Sequence, residues 1–398
     1  MIIILDLFTM KKNKLSLLSR SRLTAILFLS LGIFVFVACG SKRTSQDAAS
    51  GKKSKKHIVA KIPSADRATD LALIYMGYKN RPAWNTSDMK PYIFRNNDGK
   101  VEWLFDGFLF LEIYGNVPGR EKEYAFDIES HGRIPAGKFE WNYLLEKTFA
   151  DGVGPDAIEA TIDSLVQLGI KPPYKRKVMF ALPNPQVQCK NWGELNGKIP
   201  NFDNVEDRLE AVKWYVSRIF EEWGKKDYKY IDIAGFYWLH EQIDSKYKDD
   251  ILIKDVQAYL NSIGYPLTWI PYYGAAGADR WNEMGFDIAY QQPNYFFNAK
   301  SPITIITGAI EFARKHDMSL EMEFDDRIKD PVFRERFYTY LDQFEKAGAW
   351  DYFPIAYYEG GGAWLRMYRS EDPEVQKAYN ALADILVKRS GKFSKIKK

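Results

Sequence analysis

Two glutamates stand where a strand gives way to the loop behind it. Glu241 closes Phe236-Tyr237-Trp238-Leu239-His240-Glu241, and Glu323 lies within Leu320-Glu321-Met322-Glu323-Phe324-Asp325. Carboxylates are costly on strands that helices cover, so they need a physical reason to be there. Glycoside cleavage is one such reason: one carboxyl protonates the leaving oxygen while a second, ionised one stabilises or attacks the anomeric carbon. Strand alternation puts Leu320, Met322 and Phe324 on one side of their segment and Glu321, Glu323 and Asp325 on the other. An acidic face cannot lie under helices, so it is expected to point into a lumen, with Glu321 deeper and Glu323 nearer the mouth. Crowded carboxylates raise one another's pKa, so one of them is expected to hold a proton at neutral pH. Plainer roles compete: Glu323 could pair with Arg327, and Glu241 could sit in a first helical turn, where the macrodipole favours it.

These residues need a scaffold to hold them. From about Asp70 onward, short runs of aromatic and β-branched residues alternate with amphipathic stretches long enough for helices. The runs cover residues 71–78, 107–113, 177–182, 230–238, 267–273, 286–291, 319–324 and 352–358. Helices are expected over 155–168, 205–223, 251–263, 303–316, 331–347 and 373–388. Asp203-Asn204 and Asp330-Pro331 are N-cap signals, and Gly264 is a C-cap signal. The alternation implies an α/β protein with a parallel sheet. Roughly 330 residues suit one (β/α)8 TIM barrel, placed at 66–392, better than two domains. An open doubly wound sheet is the rival. Its dinucleotide form is disfavoured because Tyr75-Met76-Gly77-Tyr78-Lys79-Asn80 lacks Gly-x-Gly-x-x-Gly. Residues 92–95 and 100–103 flank Asn96-Asn97-Asp98-Gly99 as a β-hairpin, expected to replace the first helix. The polar connection 114–139 is long for a βα loop and is expected to wall the mouth.

The chain start has a different character. Lys11, Lys12, Lys14, Arg20 and Arg22 precede an apolar run ending Phe36-Val37-Ala38-Cys39-Gly40, which reads as a signal peptide over 1–38 with lipidation at Cys39. A Ser-, Lys- and Gly-rich stretch within 39–65 reads as a flexible tether, and 393–398 as a basic tail. The protein is therefore expected in a bacterial cell envelope, lipid-anchored to a membrane. Residues 1–56 carry eleven Lys/Arg against Asp6 and Asp47, a net of +9 out of +4 overall, so the remainder is at −5. An acidic globular region argues against nucleic-acid binding. With Cys39 lipidated, Cys189 has no partner for a disulfide and reads as a structural thiol. His240-Glu241-Gln242-Ile243-Asp244 places Asp244 where a zinc-protease motif needs histidine, and no metal or cofactor is expected. The run Glu359-Gly360-Gly361-Gly362 reads as a flexible loop.

The chain resembles barrel glycosidases that carry acid/base and nucleophile glutamates at the ends of strands four and seven. It is more closely similar to a bacterial family known as domain of unknown function 4855, through Asp106–Glu112, Ala234–Trp238, Trp269–Tyr273, Gly285–Tyr295, Leu320–Asp325 and Ile355–Gly361. The glycosidase resemblance implies Glu241 as acid/base, Glu323 as nucleophile, and Tyr290 or Tyr295 supporting the nucleophile. Those glycosidases usually have asparagine where His240 stands and arginine where Glu112 stands. Aromatic residues make up 15% of the chain. Trp238, Trp269, Tyr272, Tyr295, Tyr358 and Trp364 are expected, with His240, Tyr290, Glu321 and Asp325, to line a carbohydrate cleft. The expected protein is a monomeric, retaining glycoside hydrolase acting on a poly- or oligosaccharide. The alternative is a non-catalytic glycan-binding lipoprotein on the same barrel.

Overall fold

A computed structural model describes residues 67–128 and 132–395. The expected signal peptide, the expected lipidation site Cys39 and the expected tether lie outside these, as do the last residues of the expected basic tail. Eight parallel strands close on themselves: β1 Asp70–Tyr75, β2 Gly107–Leu111, β3 Arg176–Leu182, β4 Ile231–Trp238, β5 Leu267–Trp269, β6 Ile288–Gln291, β7 Ser319–Glu323 and β8 Ile355–Tyr358. Each corresponds to one of the eight expected runs. The ladder closes where β8 meets β1, with Asp70 opposite Ile355 and Ala72 opposite Tyr357. Strands buried on both faces carry apolar residues almost without interruption, and β1 and β2 are buried along their whole length.

The helices are α1 Thr86–Ile93, α2 Lys138–Thr148, α3 Pro155–Gln167, α4 Val205–Gly224, α5 Asp249–Ser262, α6 Thr304–Lys315, α7 Pro331–Lys346, α8 Ala349–Tyr352, α9 Ala363–Tyr368 and α10 Pro373–Phe393. Asp330 caps α7 by accepting from the Val332 amide, and Pro331 fits the first helical turn, where no N–H is needed. Gly264, at φ +86°, turns the chain out of α5.

Two expectations about loops are corrected. The hairpin forms, with Phe94–Asn97 paired against Lys100–Trp103, but it follows α1 rather than replacing it. Pro91 inside α1 hides the helical pattern. The glycine run after β8 is packed rather than flexible: Gly360, Gly361 and Gly362 all have positive φ, and a Cβ on Gly361 would strike Arg81 at 2.3 Å.

A buried network ties the lower end of the barrel. Arg389 of α10 donates to Asp70 at 2.7 Å and to the carbonyls of Thr69 and Phe353, while the Tyr357 hydroxyl donates to Asp70 at 2.7 Å. Asp106 accepts from the amides of Thr69 and Asp70 and from the Tyr174 hydroxyl. The last helix is thereby fixed to the first strand, which leaves the opposite rim to carry the loops.

Candidate active site

The register of the strands decides which side chains enter the lumen. Partners in a parallel ladder face the same side. Phe110 stacks on Phe180 and Phe180 meets Trp223, so both phenylalanines face the helices. Phe180 pairs with Phe236 and Leu182 with Trp238, which carries Trp238 to the helix side as well. Tyr237, paired with Ala181 and with Thr268 of β5, takes the lumen side. Between Val178 and Met179 the register shifts, and Gly235 sits at φ +148°, where a Cβ would lie 2.8 Å from the Pro266 carbonyl. This bulge reverses the phase of alternation along β4.

On β7 the expected face forms. Glu321 and Glu323 are 1% and 0% exposed, and Glu323 pairs with Tyr358 of β8. Burial, opposed by hydrogen bonds, brings the Glu323 carboxyl up to about 7. Its Oε2 accepts from the amides of Asn294 at 2.7 Å and Tyr295 at 3.2 Å, and from the Tyr340 hydroxyl. Asn294 sits at φ +63°, and this left-handed turn aims two successive amides at one oxygen. Arg336 holds the turn by donating to the carbonyls of Tyr295, Phe296, Ala299 and Ser301. Tyr340 lies one helical turn beyond Arg336 on α7, on the same face. The Gln292 side chain also supports the carboxylate and lowers its pKa, while the other oxygen, Oε1, is buried with no well-aligned hydrogen bond among the described residues.

Glu241 follows β4. Burial, then the charge of Asp127, pushes its carboxyl up to about 7, and Glu323 adds to the effect. Glu321 is raised well above the usual carboxylate range by burial and by the charges of Glu323 and Glu241. The three glutamates thus sense one another electrostatically. Buried Tyr237 is raised by burial, Glu241, Glu321 and Asp127, and Tyr75 of β1 by burial, Tyr358, Glu321 and Tyr237. Tyr272, after β5, is raised by burial and by Glu241. The lumen mouth is therefore a cluster of carboxyls lined by phenols.

Residues 70–384 match the family described as Domain of unknown function (DUF4855). The chain belongs to this family. No curated protein matches it. Among solved structures it is similar to the catalytic domain of a family GH18 chitinase from the fern Peteris ryukyuensis, with 13% identity over 79% of this chain and 99% of that one and a TM-score of 0.40. It is also similar to the PgaB (BpsB) glycoside hydrolase domain from Bordetella bronchiseptica, with 11% identity, coverage of 80% and 99%, and a TM-score of 0.37. The tryptophan synthase α subunit from Legionella pneumophila gives 8%, 82%, 94% and 0.37.

In this DUF4855 barrel the expected site residues divide sharply. Glu241, Glu321, Glu323, Tyr272 and Tyr358 come together. His240 adjoins them, its Nδ1 2.7 Å from Asp127. Burial would lower the His240 pKa, but the Asp127 charge and hydrogen bond outweigh it and raise it. Tyr295 contributes its backbone amide instead of its hydroxyl, and its ring lies beneath the Arg336 guanidinium at 3.5 Å. Tyr290 is in the lumen but one layer below Glu321, level with Ser319, where Asp106 and Asp70 influence it. It does not support Glu323. Asp325 leaves the lumen face to cap the turn Asp326–Lys329 and pair with Arg327 at 2.7 Å, so Arg327 does not bind Glu323.

The three tryptophans are sealed. Trp238 is 1% exposed, and Trp269 and Trp364 are 0% exposed. Trp269 stacks on Phe286 at 4.6 Å and donates to the His240 carbonyl, while Trp364 donates to the Pro91 carbonyl. Glu112, at the end of β2, binds Arg81 at 3.0 Å and the amides of Gly77 and Tyr78, so it organises the loop after β1. Cys189 is buried, as expected of a structural thiol. Four participants were not among the expected site residues: Tyr340, Asn294, Asp127 and Tyr237.

Proposed function

We propose that this protein is a retaining glycoside hydrolase acting on a poly- or oligosaccharide, with Glu323 as nucleophile and Glu241 as general acid/base. The observation that carries the reading is the asymmetry of Glu323. Three donors grip one of its oxygens and the Gln292 side chain supports the carboxylate, while the other oxygen, without a well-aligned hydrogen bond, belongs to a lumen shared with Glu241. In the reaction Glu323 Oε1 bonds to the anomeric carbon as the glycosidic C–O bond breaks, and Glu241 gives its proton to the departing oxygen. Water then attacks the same carbon, Glu241 takes a proton from it, and the Glu323 ester bond breaks to release the sugar with its original configuration. Both carboxyls near 7 suit this exchange. Ionising one disfavours ionising the other, so the singly protonated pair is well populated around neutral pH.

The binding-only alternative is weakened because the aromatic platform it needs has lost Trp238, Trp269 and Trp364 to the core. Further parts of the proposal are a lipid on Cys39 and residence in a bacterial envelope, supported by the sequence alone. The test is release of reducing sugar or aryl chromophore from a panel of polysaccharides and aryl glycosides by the full chain, beside Glu241→Gln and Glu323→Gln. Turnover confined to the wild type, with the anomeric configuration retained by proton NMR, is expected. Undiminished turnover in Glu323→Gln would falsify the assignment.

A further inference from the structure

Two stretches of chain far apart in sequence meet beside Glu241. The first is residues 125–127, in the long connection after β2. The loop after β3 staples it in place: the Asn184 backbone amide donates to the Phe126 carbonyl, the Asn184 side chain to the Asp127 carbonyl and the Gln186 side chain to the Ala125 carbonyl, each at 2.8 Å. The second is the end of β4, where Trp269 Nε1 donates to the His240 carbonyl at 2.8 Å and its own ring is buried against Phe286. With both backbones held, one side-chain contact spans the gap: Asp127 Oδ1 and His240 Nδ1 lie 2.7 Å apart. The His240 side chain is 9% exposed and that of Asp127 13%, so little water screens the contact.

This pair adjoins Glu241 directly, since His240 immediately precedes it in the chain. After burial, Asp127 is the strongest influence on Glu241 and disfavours its ionised form, while His240 more weakly favours it. The other groups facing Glu241 are Glu323 and Glu321 of β7 and the phenols of Tyr237 and Tyr272. His240 in turn faces Asp127, Glu241 and Asp249 of α5, all of which favour the imidazolium. Arg208 of α4, Asp244 and Tyr247 border the same small cavity as His240. Arg208 is bonded to Asp249 at 2.8 Å, and Asp127 is the carboxylate bonded to the imidazole ring.

We infer that Asp127 and His240 form a positioning pair for Glu241, through which the connection after β2 fixes the end of β4 and sets the balance of charge beside the acid/base. Calling Glu241 the acid/base rests on the hydrolase reading, while the pair itself rests on the contacts around it. Its two members pull in opposite directions. Asp127 holds on Glu241 the proton that the leaving oxygen must receive, and His240 moderates that hold. Tyr340 works on the other carboxyl, favouring the ionised form of Glu323. Together they bias the single shared proton toward Glu241.

The test pairs two substitutions in the full chain. Asp127→Asn keeps an acceptor oxygen for Nδ1 and removes the negative charge; His240→Asn puts a donor amide near the place of Nδ1 and removes the positive one. The first readout is titration of the Glu241 carboxyl ¹³C resonance, assigned by its absence from Glu241→Gln. Its midpoint is expected to fall by about one unit in Asp127→Asn, the scale of removing one nearby like charge, and to rise in His240→Asn. The second readout is kcat/KM on a cleaved glycoside. A lower Glu241 midpoint makes the form with Glu323 ionised and Glu241 protonated the minority one. The ratio of kcat/KM at pH 8.5 to that at pH 5.5 should therefore fall roughly five- to tenfold in Asp127→Asn and rise in His240→Asn. Thermal unfolding checks that both variants fold, and where one does not, the sign of the shift in the other decides. Midpoints that move the same way in both variants, or in neither, overturn the inference, because a brace without electrical effect produces no opposed shifts. Opposed midpoints without cleavage of any glycoside keep the pair and remove the hydrolase reading. Cleavage with the Glu241 midpoint unmoved in both variants does the reverse.

Discussion

Replacing Tyr340 by phenylalanine removes one hydroxyl and little else. The ring is buried, packed edge-on against Tyr295 at 5.6 Å and Phe344 at 5.7 Å, and those contacts survive the change. The lost group is the donor to Glu323 Oε2, a bond that favours the ionised carboxylate and so lowers its pKa. A hydrogen bond to a charged group is worth about 1.5–3 kcal/mol, and about 1.4 kcal/mol corresponds to one pKa unit. The Glu323 carboxyl, now at about 7, should therefore rise by about one to two units in Tyr340→Phe. At pH 7 the ionised fraction falls from about one half to between about one-tenth and one-hundredth, a loss of roughly 5- to 50-fold in kcat/KM. The assay is the pH profile of kcat/KM between pH 5 and 9 on whichever glycoside is cleaved. Because the Glu323 pKa would then exceed that of Glu241, the reactive form with Glu323 ionised and Glu241 protonated becomes the minority one, so the alkaline limb should move up by the same one to two units while the acid limb stays near 7, and the loss should be largest at low pH. The titration of the Glu323 carboxyl ¹³C resonance reads the shift without substrate. An alkaline limb that does not move, or a loss that is the same at every pH, would show that Tyr340 does not tune the nucleophile.

Other perturbations separate the remaining roles. Glu241→Gln should cripple cleavage of alkyl-linked sugars yet spare a 2,4-dinitrophenyl glycoside far more, because that leaving group needs no proton; equal losses on both substrates would remove Glu241 from acid duty. Asn294→Ala forces a Cβ residue with a weaker αL tolerance into φ +63°, at a cost on the order of 1 kcal/mol, and loosens the two amides on Glu323, whereas Asn294→Gly should keep activity within a few-fold. A glycine variant as impaired as the alanine variant would place the importance in the asparagine side chain instead. Glu321→Gln should stabilise the fold only at higher pH. The folded-state pKa of Glu321 is raised, so wild type loses stability as pH climbs from about 4.5 toward that raised value, by up to about 1.4 kcal/mol per pH unit, and the glutamine variant does not. Thermal unfolding should show a gap between the two that is near zero at pH 4.5 and widens by pH 8; a gap independent of pH would refute the burial argument.

The barrel was legible because a parallel strand under helices must be apolar on both faces, and runs of that kind punctuated by helical stretches leave few architectures. Glu321 and Glu323 stood out for the converse reason, being acids inside such a run. What stayed hidden depended on backbone geometry. The bulge at Gly235 reverses alternation along β4, so Trp238 looked like a cleft residue while Tyr237 occupies the lumen. The donors to Glu323 are two backbone amides, which have no residue signature, and a tyrosine on α7 whose sequence separation from Glu323 follows no motif. A left-handed asparagine in Gln292-Pro293-Asn294-Tyr295 was the available cue, since Asn tolerates αL better than most residues. Asp127 reaches His240 from the long connection after β2, and only the folded loop brings the two together.

The placement of the arginines argues that the acids in the lumen are kept poised rather than merely accommodated. A buried carboxylate retained for structure alone is ordinarily paired with a cation, which holds its pKa down and leaves it permanently ionised. Three guanidinium groups lie near enough to the mouth to have served. Arg327 is taken by Asp325, Arg81 by Glu112, and Arg336 by four backbone carbonyls and the Tyr295 ring. Among the described residues none forms an ion pair with Glu241, Glu321 or Glu323. The partners supplied to Glu323 are neutral donors, strong enough to keep one oxygen fixed and too weak to pin the proton equilibrium far from neutrality. Substituting a full positive charge for that set would hold Glu323 as a carboxylate, relieve the electrostatic pressure that keeps a proton on the group, and so leave nucleophile and acid unable to exchange roles between the two halves of a double displacement.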